Sequence, residues 1–209
     1  MKRLSSLDIL RGLVLFLLVF LQPVLISFGQ VSGCGLILYN FDHEVWEGFR
    51  LWDLVMPLFM FMAGVSLPFS LAKYTKAGSR KQVYLRIGKR FVLLFVLGMV
   101  VQGNLLGLDP GNLKFYNNTL QAIAVGYVIA ALLVMHCPEK YRLLAAAALL
   151  LIYWLPMRLC GDYTMTGSFA AKVDGLVLGR FRGDPSYTWI WSSLNFGVTV
   201  ILGSFAGTM

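Results

Sequence analysis

His43 is one of two histidines in the chain, and its surroundings give it the most chemistry to offer. It stands between Asp42 and Glu44 and three residues before Trp46, in a run that closes at Asp53. A neutral imidazole beside a carboxylate can take a proton from an attacking nucleophile, or accept an acyl group itself. Asp53 opens an uncharged stretch, where it can cap a helix or orient an imidazole N–H. A loop histidine is more often a plain surface residue than a catalyst, so spacing alone leaves these roles open. His136, beside Cys137 at the end of an apolar stretch, is expected to be interfacial and outside any site.

Asp8 and Arg11 are the next candidates. Three residues apart, they share a helical face within ion-pair reach. They can bind backbone or a lipid headgroup, or they are an interfacial cap and a snorkelling arginine. Gln22 lies deep in the same apolar stretch, where an amide must find a partner. Pro23 frees a carbonyl one turn earlier and is expected to kink the helix. A kinked helix with a polar side chain can line a cavity; the alternative is an interhelical hydrogen bond of about 1 kcal/mol or less. Gln102, Asn104 and Gln121 admit the same two readings.

These residues sit in a chain of 209 residues that is 58% hydrophobic and 13% charged, with mean hydropathy +0.72. Soluble domains run at about 45–50% apolar and about 25% charged, so a water-soluble globule and a disordered chain are both excluded. Six stretches approach the length needed to cross a bilayer: 9–28, 54–72, 91–108, 120–137, 143–157 and 189–209. Spans this apolar are not barrel strands, so the expected architecture is all-α, a polytopic bundle of about six transmembrane helices. Residues 1–209 are read as one domain.

The net charge of +8 follows the same map. Lys2 and Arg3 precede the first stretch. Lys73, Lys76, Arg80, Lys81, Arg86, Lys89 and Arg90 fall between the second and third, with no acid among them, and Lys140 and Arg142 face Glu139. The other connections are balanced or acidic, Asp109 among them. The positive-inside rule therefore places the N-terminus in the cytoplasm, and a nucleic-acid partner loses its support. Asp8 and Arg11 interrupt what would be a signal peptide, and no small-x-small cleavage site follows, so the first stretch is expected to be retained. Three cysteines are too few for a disulfide scaffold. Only Cys34 and Cys160 could meet in an oxidising space, and three free thiols fit equally well. Asn117-Asn118-Thr119 is a glycosylation sequon. Gly203 and Gly207 form a GxxxG spacing that is expected to serve helix packing. No metal site is expected.

The opening RLSSLDILRGL, the block DHEVWEGFRLWDLVMPLFMFMAGVSLPFS, the later LQAIAVGY and the string VDGLVLGRF resemble the heparan-α-glucosaminide N-acetyltransferase family of membrane acyltransferases, in its bacterial form. The block is the specific part: a His, a Trp three residues on, a Gly, then Asp-Leu-Val-x-Pro and a Phe-rich helix ending in Gly-x-Ser. The resemblance implies a multi-span enzyme that moves an acetyl group from cytosolic acetyl-CoA to an amino sugar or glycan on the far side of the membrane. It assigns the catalytic positions to His43 and Asp53. It places Gln22, Asp8, Arg11 and Trp46 at the substrate or acyl-CoA. The family usually carries Asn where this chain has Gln22, which keeps the amide and adds a methylene. Family members are usually longer, so this chain reads as the N-terminal part, in a bacterial inner membrane.

Several points stay open at this level. The basic residues between 73 and 90 can attract the phosphates of CoA or simply obey the positive-inside rule. Arg180 and Arg182 can hold an anionic acceptor or be solvated. An acetyl-histidine intermediate and direct transfer are both compatible with His43. A homo-oligomer is compatible with either. A sugar or glycolipid transporter without acyl chemistry, motivated by Pro23, Pro57 and the embedded amides, and an assembly subunit are the competing classes.

Overall fold

The computed structural model describes residues 5–75, 80–101, 111 and 113–208. Lys2, Arg3, Lys76, Gln102, Asn104, Asp109 and Met209, with the side chain of Lys73, lie outside the described residues.

The first apolar stretch forms one helical rod, Ser5–Ser32. It consists of α1 (Ser5–Phe16), a π turn (Leu17–Leu21) and α2 (Gln22–Ser32). Pro23 has no N–H to offer the preceding turn. The disturbance expected there as a kink takes the form of a π turn, in which the Gln22 N–H reaches back to the Leu17 carbonyl. Gly33 ends the rod in the left-handed conformation, φ 68°, which a residue without Cβ adopts at little cost. The chain then folds back as α3 (Gly35–Asn40), whose Leu38 packs on Gly29.

A 3-10 turn, Leu51–Leu54, leads into α4 (Val55–Thr75). Pro57, read from sequence as a helix break, does not break it. Pro57 stands in the first turn of α4, where no intrahelical partner is lost; Pro68 is the proline inside the helix. The third helix also differs from expectation. α5 (Arg80–Val101) starts well before residue 91, so Arg80, Lys81, Arg86, Lys89 and Arg90 are helical and not part of a loop. Lysine and arginine are good helix formers, and helical hydrogen bonding does not stop at the membrane surface. α6 (Thr119–His136) and α7 (Glu139–Leu159) follow, then α8 (Phe169–Leu178) and α9 (Ser193–Ala206). α9 is shorter than the expected 189–209, because Trp189–Ser192 form turns held from α8.

Among the described residues, four helical stretches are long and apolar enough to cross a membrane: Ser5–Ser32, Leu51–Leu71, Thr119–His136 and Glu139–Leu159. α5, basic in its first half, and the shorter α9 complete the bundle. Among the described residues there is no strand, and the protein is an all-α polytopic membrane bundle. Its centre is α4, α6 and α9, around Met60, Leu67, Tyr127, Val200 and Ile201. The tightest approach is α9 on α4. A Cβ on Gly203 would strike the Phe61 carbonyl, one on Gly64 the Val200 carbonyl, and one on Gly207 the Val65 carbonyl. The GxxxG glycines are thus a helix-packing stripe. Outside, Ile9, Leu13, Val19, Phe20 and Phe28 project from the first rod into the surroundings, as a lipid-facing surface requires.

The two ends are closed differently. At one end His136 Nε2 lies 2.6 Å from the Tyr84 hydroxyl, tying α6 to α5, and Arg142 donates to the carbonyls of Cys137 and Val134. At the other, Gln121 is fully buried and caps its own helix. Its carbonyl oxygen accepts the N–H groups of Asn117 and Asn118, and its amide donates to Phe115 O at 2.7 Å. That is neither a cavity lining nor an interhelical bond.

Candidate active site

The chain between α3 and α4 carries His43, and three contacts hold it. Gln22 Nε2 donates to the Phe41 carbonyl at 2.9 Å, fastening the loop to α2 two residues before the histidine. The Phe41 ring packs on Trp52, whose side chain is buried under the 3-10 turn. Arg50 then draws the loop together: its Nε donates to Glu44 at 2.8 Å, its guanidinium lies 3.6 Å from Asp42, and it covers the Tyr39 ring. The hydrogen bond from Arg50 holds the Glu44 carboxyl below the ordinary carboxylate range, aided by the Val45 N–H, and Glu44 in turn raises Arg50.

Within this frame His43 Nδ1 lies 2.8 Å from Asp53 Oδ1. The other carboxylate oxygen accepts the Arg50 N–H at 3.0 Å. Asp53 therefore both caps the turn into α4 and holds the ring, the two roles weighed separately from sequence. An ionised carboxylate only accepts, so the neutral ring carries its proton on Nδ1. Nε2 has no hydrogen-bond partner among the described residues, and the side chain is half exposed.

Beside the pair is a pocket of about 340 Å³, with Asp53, Trp46, Phe49 and Met56 on one wall and Tyr187 and Trp189 on the other. The Trp46 indole N–H donates to the Tyr163 carbonyl at 2.6 Å, so its ring is fixed as a wall. The opposite wall is fixed by Asp174. This carboxylate is fully buried on α8 and accepts the N–H groups of Trp189 and Ile190 at 2.7 and 2.9 Å. Burial pushes the Asp174 carboxyl up despite those two bonds. Burial, and then Asp184, Asp53 and Asp42, push the Tyr187 phenol up. Trp189 Nε1 is buried and has no hydrogen-bond partner among the described residues. Neither Arg180, stacked on Phe181, nor Arg182, which donates to Pro185 O, lines this pocket. The described cysteines are free thiols.

Asp8 and Arg11 are elsewhere. They are 3.7 Å apart, and Arg11 also donates to Met62 O on α4 at 3.2 Å. Arg11 opens onto a second cavity, of about 270 Å³, inside the bundle between α1, α4, α5 and α6. Of the expected site residues, then, the structure gathers His43, Asp53 and Trp46, lets Gln22 anchor their loop, and keeps Asp8 and Arg11 apart. Sequence reading missed Arg50, Asp174, Tyr187 and Trp189. The signal available was an acid followed at long range by an aromatic turn, which spacing cannot pair.

A carboxylate-held imidazole and an aromatic pocket thus stand together at one end of a helical membrane bundle. The chain belongs to the family of the heparan-alpha-glucosaminide N-acetyltransferase catalytic domain, whose model matches residues 3–172. It is 31% identical over 134 residues to heparan-alpha-glucosaminide N-acetyltransferase of Homo sapiens, and 31% over 135 residues to that of Mus musculus. Each match covers 63% of this chain and 19% of the relative, so the chain matches about a fifth of those proteins. Residues 186–192, which close the pocket, lie beyond the family match.

Proposed function

We propose that this domain transfers an acetyl group from acetyl-CoA, approached from the basic end, to the amine of an amino sugar or glycan at the His43 end. The observation that carries the reading is the 2.8 Å contact between His43 Nδ1 and Asp53, a carboxylate that itself lines a pocket with aromatic walls. In a direct route the amine attacks the thioester carbonyl, Nε2 takes the amine proton, and the C–N bond forms. The C–S bond then breaks, and the imidazolium protonates the departing thiolate. Asp53 holds the ring in the needed tautomer and stabilises the imidazolium. In a two-step route Nε2 attacks the thioester, the C–S bond breaks and CoA departs as the thiolate; the amine then attacks the acetyl-imidazolium, the bond from ring nitrogen to acetyl carbon breaks to return the neutral imidazole, and the amine proton neutralises the thiolate.

The remaining residues divide accordingly. Trp46 walls the acceptor pocket. Gln22 sets the position of the histidine loop, and its second N–H is available to the thioester carbonyl. Arg11, oriented by Asp8, holds an anionic part of CoA within the bundle. The membrane is a bacterial inner membrane, with the N-terminus on the cytoplasmic face and no nucleic acid involved. A homo-oligomer is compatible with this arrangement.

The test is acetyl transfer by membranes carrying the full-length protein, given acetyl-CoA labelled in the acetyl group and an amino sugar. His43→Ala is expected to abolish transfer. Normal transfer by that variant removes the mechanism, and sugar flux into vesicles without any CoA requirement favours a transporter instead. Acid quench within one turnover separates the two chemical routes, because only one leaves label on the protein.

A further inference from the structure

The pocket at the His43 end has a sign of charge that the acetyl-transfer reading does not fix. Glu44 and Asp53 line it, and no lysine or arginine does among the described residues. Asp42 is close to the same loop, and Asp184 lies two residues before Ser186, which lines the pocket from the other side. The charges of Asp184, Asp53 and Asp42 all reach the Tyr187 phenol in the wall.

The arginines of these two loops are engaged elsewhere. Arg50 is held by Glu44 at 2.8 Å and by Asp42 at 3.6 Å. Arg180 stacks on Phe181, and Arg182 donates to Pro185 O. Counting both Arg50 and Arg182 against Asp42, Glu44, Asp53 and Asp184 still leaves the surroundings of the pocket negative.

The walls add a second constraint. Trp46, Phe49, Tyr187 and Trp189 present aromatic surface on which the apolar face of a sugar ring packs. A volume of about 340 Å³ is at the small end for ligand sites and suits one terminal sugar better than several linked ones. A sulfate or carboxylate buried there has carboxylates for neighbours and no ammonium or guanidinium to pair with, so it loses hydration and meets repulsion. An ammonium is favoured by the carboxylates and by the aromatic faces alike.

We propose that this pocket selects its acceptor by charge: a terminal amino sugar that carries no sulfate, phosphate or carboxylate, with Glu44 and Asp184 as specificity-determining residues. The inference rests on the acceptor reading of the pocket and narrows it to one substrate class.

The full-length protein in detergent at about pH 8 is titrated calorimetrically with glucosamine and with glucosamine 6-sulfate, which differ by one anionic group. Acetyl transfer to each is measured in parallel. Glucosamine is expected to bind about tenfold tighter or more at about 50 mM salt, with the preference narrowing at about 0.5 M. Asp184→Asn keeps an acceptor for the Ser186 N–H and removes the charge. It should narrow the preference about two- to threefold at an unchanged melting temperature, and Glu44→Gln should act in the same direction. Glu139→Gln, at the start of α7 on the opposite end of the bundle, should leave the preference as in the parent. Equal or tighter binding of the sulfated sugar overturns the proposal, and so does a preference that neither salt nor Asp184→Asn moves. Binding with the expected preference but without acetyl transfer removes the proposed reaction and leaves the selectivity standing. Failure of both sugars to bind overturns both.

Discussion

At the scale of single residues, the site turns on which nitrogen of His43 is free. Asp53 engages Nδ1, which leaves Nε2 as the nitrogen able to meet a substrate, and Asp53 itself lines the pocket. Asp53→Asn presents either an amide N–H or a carbonyl to the ring and loses control of the tautomer. It is expected to lower kcat by roughly 10²–10⁴, as loss of an acid–base group does, with KM for acetyl-CoA little changed. Steady-state kinetics at one pH checks this. Trp189→Phe removes a buried indole N–H that has no partner among the described residues, so it is expected to leave the melting temperature unchanged or slightly raised, as thermal unfolding in detergent would show. The pH behaviour of the loop follows from Glu44. Its folded value lies below the ordinary 4.5 because Arg50 donates to it. The clamp's contribution is thus complete above that ordinary value and is lost as pH falls through the lowered one. Near-ultraviolet circular dichroism from Trp46 and Trp52 should therefore hold steady from about pH 7 to about pH 5, and Arg50→Gln should bring the acid loss to higher pH.

At the scale of elements, two contacts decide where the walls stand. On α9, Gly203 faces the Phe61 carbonyl with no space for a Cβ. Gly203→Leu must push α9 off α4, at a cost of about 1–3 kcal/mol or more, seen as a lower melting temperature in detergent. Gly12→Ala, on α1 with nothing within 4 Å, should be neutral or slightly stabilising and serves as the control. On α8, Asp174 holds the turn that carries Trp189. Asp174→Ala leaves the buried Trp189 N–H and the part-buried Ile190 N–H without their acceptor, at about 1–3 kcal/mol for the buried one and less for the other. Limited proteolysis at residues 183–192 should then quicken, with weakened acceptor binding.

At the scale of the whole molecule, the bundle is a membrane protein because its outer faces have no aqueous solution. Exposed Leu, Val and Phe cover the first rod, while polar groups collect at the ends and in one internal cavity. The proposed orientation is directly measurable. A membrane-impermeant maleimide added to intact cells should label Cys34 or Cys160, which lie towards the His43 end, and spare Cys137, which follows His136. Labelling of Cys137 alone would reverse the topology and with it the direction of acetyl transfer.

The chain's hydropathy and its scarcity of charge determined the all-α membrane bundle, because backbone groups in lipid have few ways to be satisfied. The local order of His43, Trp46 and Asp53 determined that a site was there to look for, since all three sit in one short run before a helix. Only the tertiary structure decided the rest. It showed that Arg80–Arg90 are helical, that Gln121 is a cap and that Gln22 is a loop anchor. It also brought Trp189 opposite Trp46, and Arg90 towards Arg11. These are contacts between distant positions, set by how helices pack and how turns are fastened, and side-chain periodicity carries no information about which distant partner will fill a given face.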